Sequence, residues 1–352
     1  MGLIAGFACL TKMTILFLGP GFLVALLASK YRRDLITLWP WVGAALCLIL
    51  VSPYILWQFA NHWPTLEYWK IYGSQRVYQA SIQQYIINIL MYISPLLVPL
   101  WLLGLYRIFR RLDGVNYGFL GLLLLVTFVL LFFLHATARM IVELFIPLLA
   151  AGTVFMEEII SPLRWKSWAI AISAVYLLVV GVINISFSLP VIPLDIMPAT
   201  IHPFQILYMP LKEFNNNVNN PPIFLRGRIG WDELVREVAN VYNALPPKDR
   251  AVAGIYADVY PSAGAIDQFG PQYGLPHAVS GSLTYYFWGP GDSWDVMIIV
   301  TNTTNVMSVF FGECEQKAVS KREYVGSHFY ISVCRQPKVP VDIIWKRAKS
   351  FR

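Results

Sequence analysis

Three charged side chains stand out because they interrupt hydrophobic sequence. Lys12 lies inside an apolar run that begins near residue 3. Arg139 lies in a short turn between two later apolar runs, and Glu143 comes just after that turn. A charge within a membrane-spanning segment is costly and marks a functional site by default. Arg binds phosphate in bidentate fashion and Lys as a point charge, so Lys12 and Arg139 suit a lipid-linked phosphate.

Each of these residues also has a structural interpretation. Lys12 could extend to the lipid headgroups, because a long basic side chain near the end of a span can place its charge in water. Arg139 could be a single interfacial anchor. Glu143 could pair with Arg139 or could be a carboxylate that faces the donor site. The sequence leaves these alternatives open.

A second candidate is the aromatic segment at 62–70, which contains His62, Trp63 and Tyr68. Its rings could form a stacking surface for a sugar or an isoprenoid, with His62 or Glu67 as a polar contact. The alternative is that they form the aromatic belt that membrane proteins place at the interface.

Two further candidates lie in the C-terminal half. Tyr260 and Asp267 belong to a predicted strand-to-helix turn, where backbone N–H groups can bind an anion or a sugar hydroxyl. Tyr285, Tyr286 and Trp288 could stack on a carbohydrate ring. A plain connecting turn and the packed core of a loop are the respective alternatives.

Several kinds of site are not supported. The glycines match neither dinucleotide-binding nor P-loop spacing, and no HExxH, Cys-x-x-Cys or Ser/His/Asp pattern occurs. We therefore expect no metal, no cofactor and no nucleic-acid partner. Cys314 and Cys334 are twenty residues apart, and an oxidising compartment would allow them to pair; the sequence does not decide whether they do.

The elements that must position these residues are mostly hydrophobic. The chain of 352 residues is 57% hydrophobic and 13% charged, with a mean hydropathy of +0.56, whereas soluble domains carry about 25% charged residues. This composition predicts a polytopic helical membrane domain over 1–189, and the bilayer is its first partner. Apolar runs of about 20 residues can span a bilayer, and six are present, at 3–28, 36–57, 84–106, 118–135, 142–159 and 167–189.

Charge in the loops predicts the orientation. One set of loops holds eight Lys and Arg residues and the opposite set holds three, and the basic loops of membrane proteins face the cytoplasm. Residues 190–352 then form a soluble extracytoplasmic domain of a multi-pass membrane protein.

The C-terminal domain has an α/β pattern. Apolar residues at helical spacing predict a helix over 231–245 that ends at Pro246, and a second helix opens at Pro261. A basic helix closes the chain near 341–350. Strand-like runs lie at 251–256, 295–301, 306–311 and 328–334, which predicts a small mixed or parallel sheet with flanking helices.

The first residues lie directly in an apolar run, without the basic segment or cleavage site of a signal peptide. With six spans and an external C-terminal domain, Met1 would also lie outside. We expect a preceding portion that supplies an odd number of further spans; an unusual amino terminus is the alternative.

These segments together resemble a known family. The sequences GFACLTKMT at 6–14, KYRR at 30–33 and SPYILWQFANHWPT at 52–65 resemble the membrane core of glycosyltransferase family 39, in the GT-C superfamily. That class includes protein mannosyltransferases, lipid A aminoarabinose transferases and RgtA/B/C/D-like sugar transferases. The tail resembles the external domain of bacterial members through residues 260–276 and 286–290, which implies a bacterial inner or plasma membrane.

The resemblance implies an inverting glycosyltransferase. The sugar of a polyprenyl-phosphate donor would move to a glycan, lipid or protein acceptor at the outer membrane face. The family's acidic catalytic residue lies in an external loop that would precede this segment, so the catalytic residue here is unknown. The family also has a Lys and two tyrosines before PLLAAG at 147–152, where this chain has Arg139 and no tyrosines.

Two other functions are compatible with the same residues. One is a transporter or flippase of lipid-linked sugars, since the Gly-Pro-Gly at 19–21 would suit a broken span. The other is a non-catalytic protein that binds lipid-linked sugars. Covalent transfer of a sugar distinguishes the enzyme from both.

Overall fold

The structure is a computed structural model that describes residues 1–75, 82–110, 117–134, 136, 138–189, 191–193, 196, 227–303, 307–321 and 328–351. The chain divides into two compact units. The first, here the helical unit, comprises Met1–Leu66 and Arg76–Val218. The second, here the α/β unit, comprises Glu67–Gln75 and Asn219–Arg352.

The N-terminal part of the chain is helical. Its α-helices are α1 (Gly2–Thr11), α2 (Leu18–Ala28), α3 (Leu38–Ala60), α4 (Pro64–Gln75), α5 (Ile82–Ile93), α6 (Val98–Phe109), α7 (Gly118–Phe133), α8 (Ala138–Val142), α9 (Phe145–Ile160) and α10 (Lys166–Ser188). Short 3₁₀ helices at Met13–Phe17, Lys30–Ile36 and Pro95–Leu97 join some of them.

Three helical segments in the described part are long and apolar enough to cross a membrane, namely Leu38–Ala60, Met140–Ile160 and Lys166–Ile185. The second of them joins the end of α8 to α9 through the turn at Glu143 and Leu144. The three segments coincide with the runs at 36–57, 142–159 and 167–189. Met13–Ala28 and Lys30–Ile36 form a pair bent by 100°. The remaining apolar helices are shorter than a full span, so the topology of six spans stays a prediction.

Close helix packing in this unit depends on glycine. A Cβ atom at Gly104 of α6 would overlap the backbone of Leu148 on α9, and a Cβ atom at Gly152 of α9 would overlap the backbone of Leu100 on α6. Small residues let membrane helices approach closely, where van der Waals contact replaces the hydrophobic effect as the driving force. The two glycines therefore hold α6 against α9.

The α/β unit contains one mixed sheet. Its strands are β1 (Ala253–Ala257), β2 (Ala278–Val279), β3 (Val296–Thr301), β4 (Phe311–Lys321) and β5 (His328–Pro337), in the order β2-β1-β3-β5-β4. β1 pairs in parallel with β2 and β3, while β5 is antiparallel to β3 and β4. β3 is buried along its whole length, as expected for a strand covered on both faces.

Helices cover both faces of the sheet. The helices of this part are α11 (Trp231–Asn243), α12 (Pro247–Val252), α13 (Tyr260–Phe269) and α14 (Val341–Ala348). Residues of α11 and α13 share one core with β1, β3 and β5, and Trp345 of α14 packs with Trp294 and Phe311 in a second core. Each core removes apolar surface from water, the main favourable contribution to folding.

Most elements of this unit agree with the sequence analysis. The predicted helix over 231–245 is confirmed as α11, and the helix after Pro261 as α13. The predicted strand at 306–311 is wrong, since Ser308–Phe310 is a 3₁₀ turn and β4 begins only at Phe311. β4 is an edge strand that carries Glu313, Glu315 and Lys317, so it lacks the apolar alternation by which strands are recognised.

A disulfide joins Cys314 and Cys334. The two residues are direct partners in the antiparallel register of β4 and β5. The bond therefore fastens the edge strand to its neighbour and answers the question that the sequence left open.

Candidate functional site

The first candidate site is an ion pair within the helical unit. Lys12 Nζ lies 2.5 Å from Glu143 Oε1, and the two side chains are 54% and 55% exposed. The residues are 131 positions apart in the chain. The structure therefore brings together two of the three charged residues that the sequence selected.

Both members of this pair lie where a helix is interrupted. Lys12 has an extended backbone, with φ −156° and ψ 113°, between α1 and the 3₁₀ helix Met13–Phe17. Glu143 lies in a turn between α8 and α9. Irregular backbone at membrane depth is tolerated only where it is buried in protein or lines a water-filled cavity. The interruptions thus mark a polar position in apolar sequence.

Hydrophobic packing holds the two interruptions in place. Ile141, Leu144 and Phe145 flank Glu143 and are buried in one cluster, and Phe17 and Leu18, which follow Lys12, pack against the same cluster. The charged pair therefore sits beside a shared apolar support. Arg139 lies on α8, but its side chain is outside the described part of the structure, so its role as a phosphate ligand stays a prediction.

The second candidate is the turn between α3 and α4. His62 and Trp63 both have positive φ angles, 60° and 59°. Such angles are uncommon for residues other than glycine and cost about 1 to 2 kcal/mol each. Backbone strain of this kind persists only where the surroundings enforce it, and it clusters at functional sites.

A buried glutamine enforces this turn. Gln58 Nε2 donates to Tyr54 Oη at 2.8 Å and to Thr65 Oγ1 at 2.7 Å, and Gln58 Oε1 accepts from the Thr65 N–H at 3.1 Å. The Trp63 N–H donates to the Gln58 carbonyl at 2.7 Å. These bonds clamp the chain on both sides of His62 and Trp63, whose side chains are exposed.

Tyr68 and Glu67 lie on the part of α4 that belongs to the α/β unit. Glu67 Oε2 is 2.7 Å from Lys349 Nζ, which also lies over the ring of Phe351 at 4.7 Å. Glu67 is therefore occupied in an ion pair. Tyr68 is half-buried.

The third candidate is built around Asp267 on α13. Asp267 Oδ2 accepts a hydrogen bond from Tyr285 Oη at 2.8 Å, and Asp267 Oδ1 accepts from the Ala278 N–H at 2.8 Å. His277 Nδ1 lies 3.4 Å from the same Oδ1. Burial, followed by the hydrogen bond to Asp267 and the charge of that carboxylate, raises the pKa of Tyr285.

Aromatic rings extend this site. Residues 260, 264 and 267 recur at helical spacing, so they share one face of α13, and a Cβ atom at Gly264 would lie 3.6 Å from Tyr285 Oη. The Tyr285 ring lies 4.4 Å from that of Trp288, which is 70% exposed, and Tyr260 is also exposed. Tyr286 instead stacks on Trp345 at 5.4 Å in the second core.

The sheet topology indicates polar residues that the sequence analysis missed. From β1 the chain goes to β2 on one side of it and then to β3 on the other side. Ligands of open α/β sheets bind at such switch points, beyond the carboxyl ends of the strands. Thr301 Oγ1 donates to Asp258 Oδ2 at 3.0 Å at this position. A polar run directly after a buried strand is the signal that could have revealed Thr301.

The described residues contain no group of three or more His, Cys, Asp or Glu side chains that could hold a metal ion.

Comparison with known proteins identifies one similarity. Residues 1–57 match the family model described as dolichyl-phosphate-mannose-protein mannosyltransferase. No curated protein and no solved structure matches the chain. The matched segment runs from α1 through most of α3 and contains Lys12. The match and the apolar helices fit a membrane glycosyltransferase.

Proposed function

We propose that this protein is an integral membrane glycosyltransferase. It moves a sugar from a polyprenyl-phosphate donor to a glycan, lipid or protein acceptor at the extracytoplasmic face. The observation that carries the proposal is the Lys12–Glu143 ion pair, because Lys12 belongs to the segment that matches mannosyltransferases and both residues lie at interruptions of apolar helices.

In this proposal Lys12 stabilises the leaving group. The acceptor hydroxyl oxygen attacks the anomeric carbon, and the bond from that carbon to the phosphate oxygen breaks. The electron pair of that bond remains on the phosphate, and the released phosphate takes up the proton that the hydroxyl loses. A cation placed in advance beside the developing charge lowers the barrier without reorganisation of solvent. The ammonium group has three donors; one points to Glu143, and the others are directed to the phosphate. Arg139 would be a second phosphate ligand.

Glu143 is a positioning residue. Lysine side chains are long and flexible, and an ion pair with the Glu143 carboxylate favours one position of the ammonium group. Because the pair is half-exposed, an incoming phosphate can reach the ammonium without breaking a buried contact. The exposure of the ion pair supports a role in phosphate binding more strongly than a role in stabilising the fold.

Two observations support the orientation. The loops that we assign to the cytoplasm carry eight basic residues against three on the other side. The Cys314–Cys334 disulfide in the α/β unit is typical of an oxidising compartment. We therefore place the α/β unit outside the cytoplasm.

The aromatic candidates suit a carbohydrate. Tyr260, Tyr285 and Trp288 offer rings beside the Asp267 carboxylate, a combination of stacking surface and hydrogen-bond acceptor that fits sugar hydroxyls. The strained turn between α3 and α4 also exposes a ring for stacking, Trp63, and a polar side chain, His62. We assign the acceptor to the group around Asp267, and the turn at His62 and Trp63 is a separate candidate for a sugar or an isoprenoid.

A transfer assay tests the proposal. Membranes that contain the full gene product are supplied with radiolabelled polyprenyl-phosphate mannose, and the label is followed into acceptor. Lys12→Gln should lower kcat/KM by about 10² to 10³, the effect of losing one preorganised donor. Lys166→Gln removes an exposed cation from the first turn of α10 and is the matched control.

The two outcomes are distinct. Transfer that survives Lys12→Gln at the wild-type rate would reject the assigned role of Lys12. Movement of the labelled lipid across the membrane without covalent transfer would reject the enzyme and favour a transporter.

A further inference from the structure

We propose that the helical unit has a second anion site, which binds the phosphate headgroup of an anionic membrane lipid. The site, here the basic corner, comprises residues 28–34, Arg107 and the start of α7 around Tyr117 and Phe119. It is separate from the Lys12–Glu143 pair and does not depend on the proposed transferase activity.

A concave surface forms the first part of the basic corner. Residues 28–34 line a cavity of about 680 Å³ where the chain bends by 100° between α2 and the following 3₁₀ helix. The lining contains three cations, Lys30, Arg32 and Arg33, and one carboxylate, Asp34. Ser29 fixes the bend, since its Oγ accepts a hydrogen bond from the Tyr31 N–H at 3.2 Å. The excess of positive charge suits a phosphate.

The same segment has the features of a membrane interface. Directly after the cations, Ile36 is 88% exposed, and Leu38, Trp39 and Trp41 are exposed as well. Trp41 Nε1 donates to the Leu35 carbonyl at 2.9 Å. Tryptophan is enriched at headgroup level, and apolar side chains beside cations favour a lipid over a free anion because both its headgroup and its acyl chains find partners.

A buried arginine forms the second part. Arg107 is 4% exposed, and its Nε and Nη2 donate to Glu158 Oε1 at 3.1 and 3.0 Å. Arg107 Nη1 is also buried, yet no described residue accepts a hydrogen bond from it. A buried donor without an acceptor costs about 1 to 3 kcal/mol, and more when it is charged. An oxygen supplied by a ligand would satisfy it.

Aromatic contacts connect the two parts. Arg107 Cζ lies 5.3 Å from the centre of the Tyr117 ring, and the Tyr31 ring meets the Phe119 ring edge-on at 5.9 Å. Tyr117 is the N-cap of α7 and Phe119 lies in its first turn. The buried arginine and the cavity therefore border the same helix terminus, whose dipole favours an anion.

The basic corner lies at the opposite end of α9 from the proposed donor site. Glu143 precedes α9, whereas Glu158, the partner of Arg107, lies in its last turn. Fifteen residues of helix correspond to about 22 Å, a large part of the roughly 30 Å hydrocarbon core. The two anion sites are thus assigned to opposite membrane faces.

Lipid retention tests the inference. The full chain is extracted in mild detergent, incubated with phosphatidylglycerol or phosphatidylcholine, and examined by native mass spectrometry. We expect retention of phosphatidylglycerol over phosphatidylcholine. The double variant Arg32→Gln/Arg33→Gln should weaken retention roughly 10-fold or more, since each cation near an anionic lipid contributes several-fold.

Two further variants separate this site from general surface charge. Arg164→Gln/Lys166→Gln removes the same charge from exposed positions outside the corner and should change retention less than about 2-fold. Arg107→Lys keeps the charge beside Glu158 but removes the planar fork, and it should also weaken retention.

The inference has two contradicting results. Equal losses in the two double variants would show nonspecific attraction to the basic loops. Displacement of the lipid by inorganic phosphate at equal concentration would assign the corner to a free anion. Both results are independent of whether the protein transfers sugar.

Discussion

At the scale of single residues, burial distinguishes two ion pairs among the described residues of the helical unit. Lys12 and Glu143 are half-exposed, and pairs of this kind contribute about 0 to 1 kcal/mol to stability. Arg107 is buried, and removal of one partner from a buried pair costs about 3 to 5 kcal/mol. The first pair can therefore exchange its contact for a ligand at little cost, whereas the second is needed for the fold and can offer a ligand only its unused Arg107 Nη1 donor.

The raised pKa of Tyr285 leads to a prediction. Burial comes first among its causes, and the hydrogen bond to Asp267 and that carboxylate's charge add to it. The unfolded chain loses the phenol proton near pH 10, while the folded protein retains it. The stabilisation is thus complete below about pH 10 and decreases as the pH rises above that value.

Tyrosinate absorbance of the full chain measures this effect. We expect some phenols to stay protonated above pH 11 and to ionise on unfolding, and Tyr285→Phe should reduce their number by one. Asp267→Asn should let Tyr285 ionise at a lower pH. The assignment is wrong if wild type and Tyr285→Phe differ only near pH 10.

The sequence was sufficient to select some site residues but not their partners. Lys12 is conspicuous as a charge in an apolar run, yet its contact with Glu143 spans 131 positions and depends on how the helices pack. Tyr286 resembles its neighbours in sequence, but its ring stacks inside the core on Trp345. Only the packed structure distinguishes it from the exposed Trp288.

At the scale of elements, glycines decide how closely helices approach. Gly104→Ala should destabilise the protein by about 1 to 3 kcal/mol, because the added methyl group would overlap the backbone of α9. Gly181→Ala is the matched control, since nothing lies within 4 Å of a Cβ atom there. It should be neutral or stabilise by up to about 1 kcal/mol. Thermal unfolding in detergent measures both; equal shifts would contradict the packing.

The spacing of apolar residues in the sequence was sufficient to predict those helices and strands in which this spacing is regular or continuous. α11 shows its period over thirteen residues, and β3 is a continuous apolar run. The two-residue strand β2 and the charged edge strand β4 carry no such signal. The apolar run at 3–28 is likewise interrupted at Lys12, where the backbone is extended instead of helical, and a hydropathy profile does not detect this change.

At the scale of the whole molecule, the composition separates a hydrophobic part from an ordinary one. Residues 1–190 carry 12 Lys and Arg against 6 Asp and Glu, and the remainder carries 15 against 14. Such asymmetry in short loops sets topology. The two compact units divide between Val218 and Asn219, and the second unit also contains Glu67–Gln75, so the domain boundary at 190 stays a prediction.

Cysteine labelling tests the compartment of the α/β unit. Protein from native membranes, denatured without reductant, should accept thiol label only at Cys9 and Cys47, which are free. Reduction should expose Cys314 and Cys334 as well. Cys334→Ser, the control, should label at Cys314 without reductant. Labelling of all four cysteines before reduction would place this unit in a reducing compartment.

The central claim is that the Lys12 ammonium contacts the donor phosphate. Its most direct test is the charge exchange Lys12→Glu/Glu143→Lys, with each single variant measured beside it in the transfer assay. The exchange restores the ion pair but moves the cation, and a displacement of about 1 Å can cost 10² in rate. We expect wild-type thermal stability with transfer reduced at least 10²-fold. Recovery of both stability and transfer would show that the pair is structural and would contradict the claim.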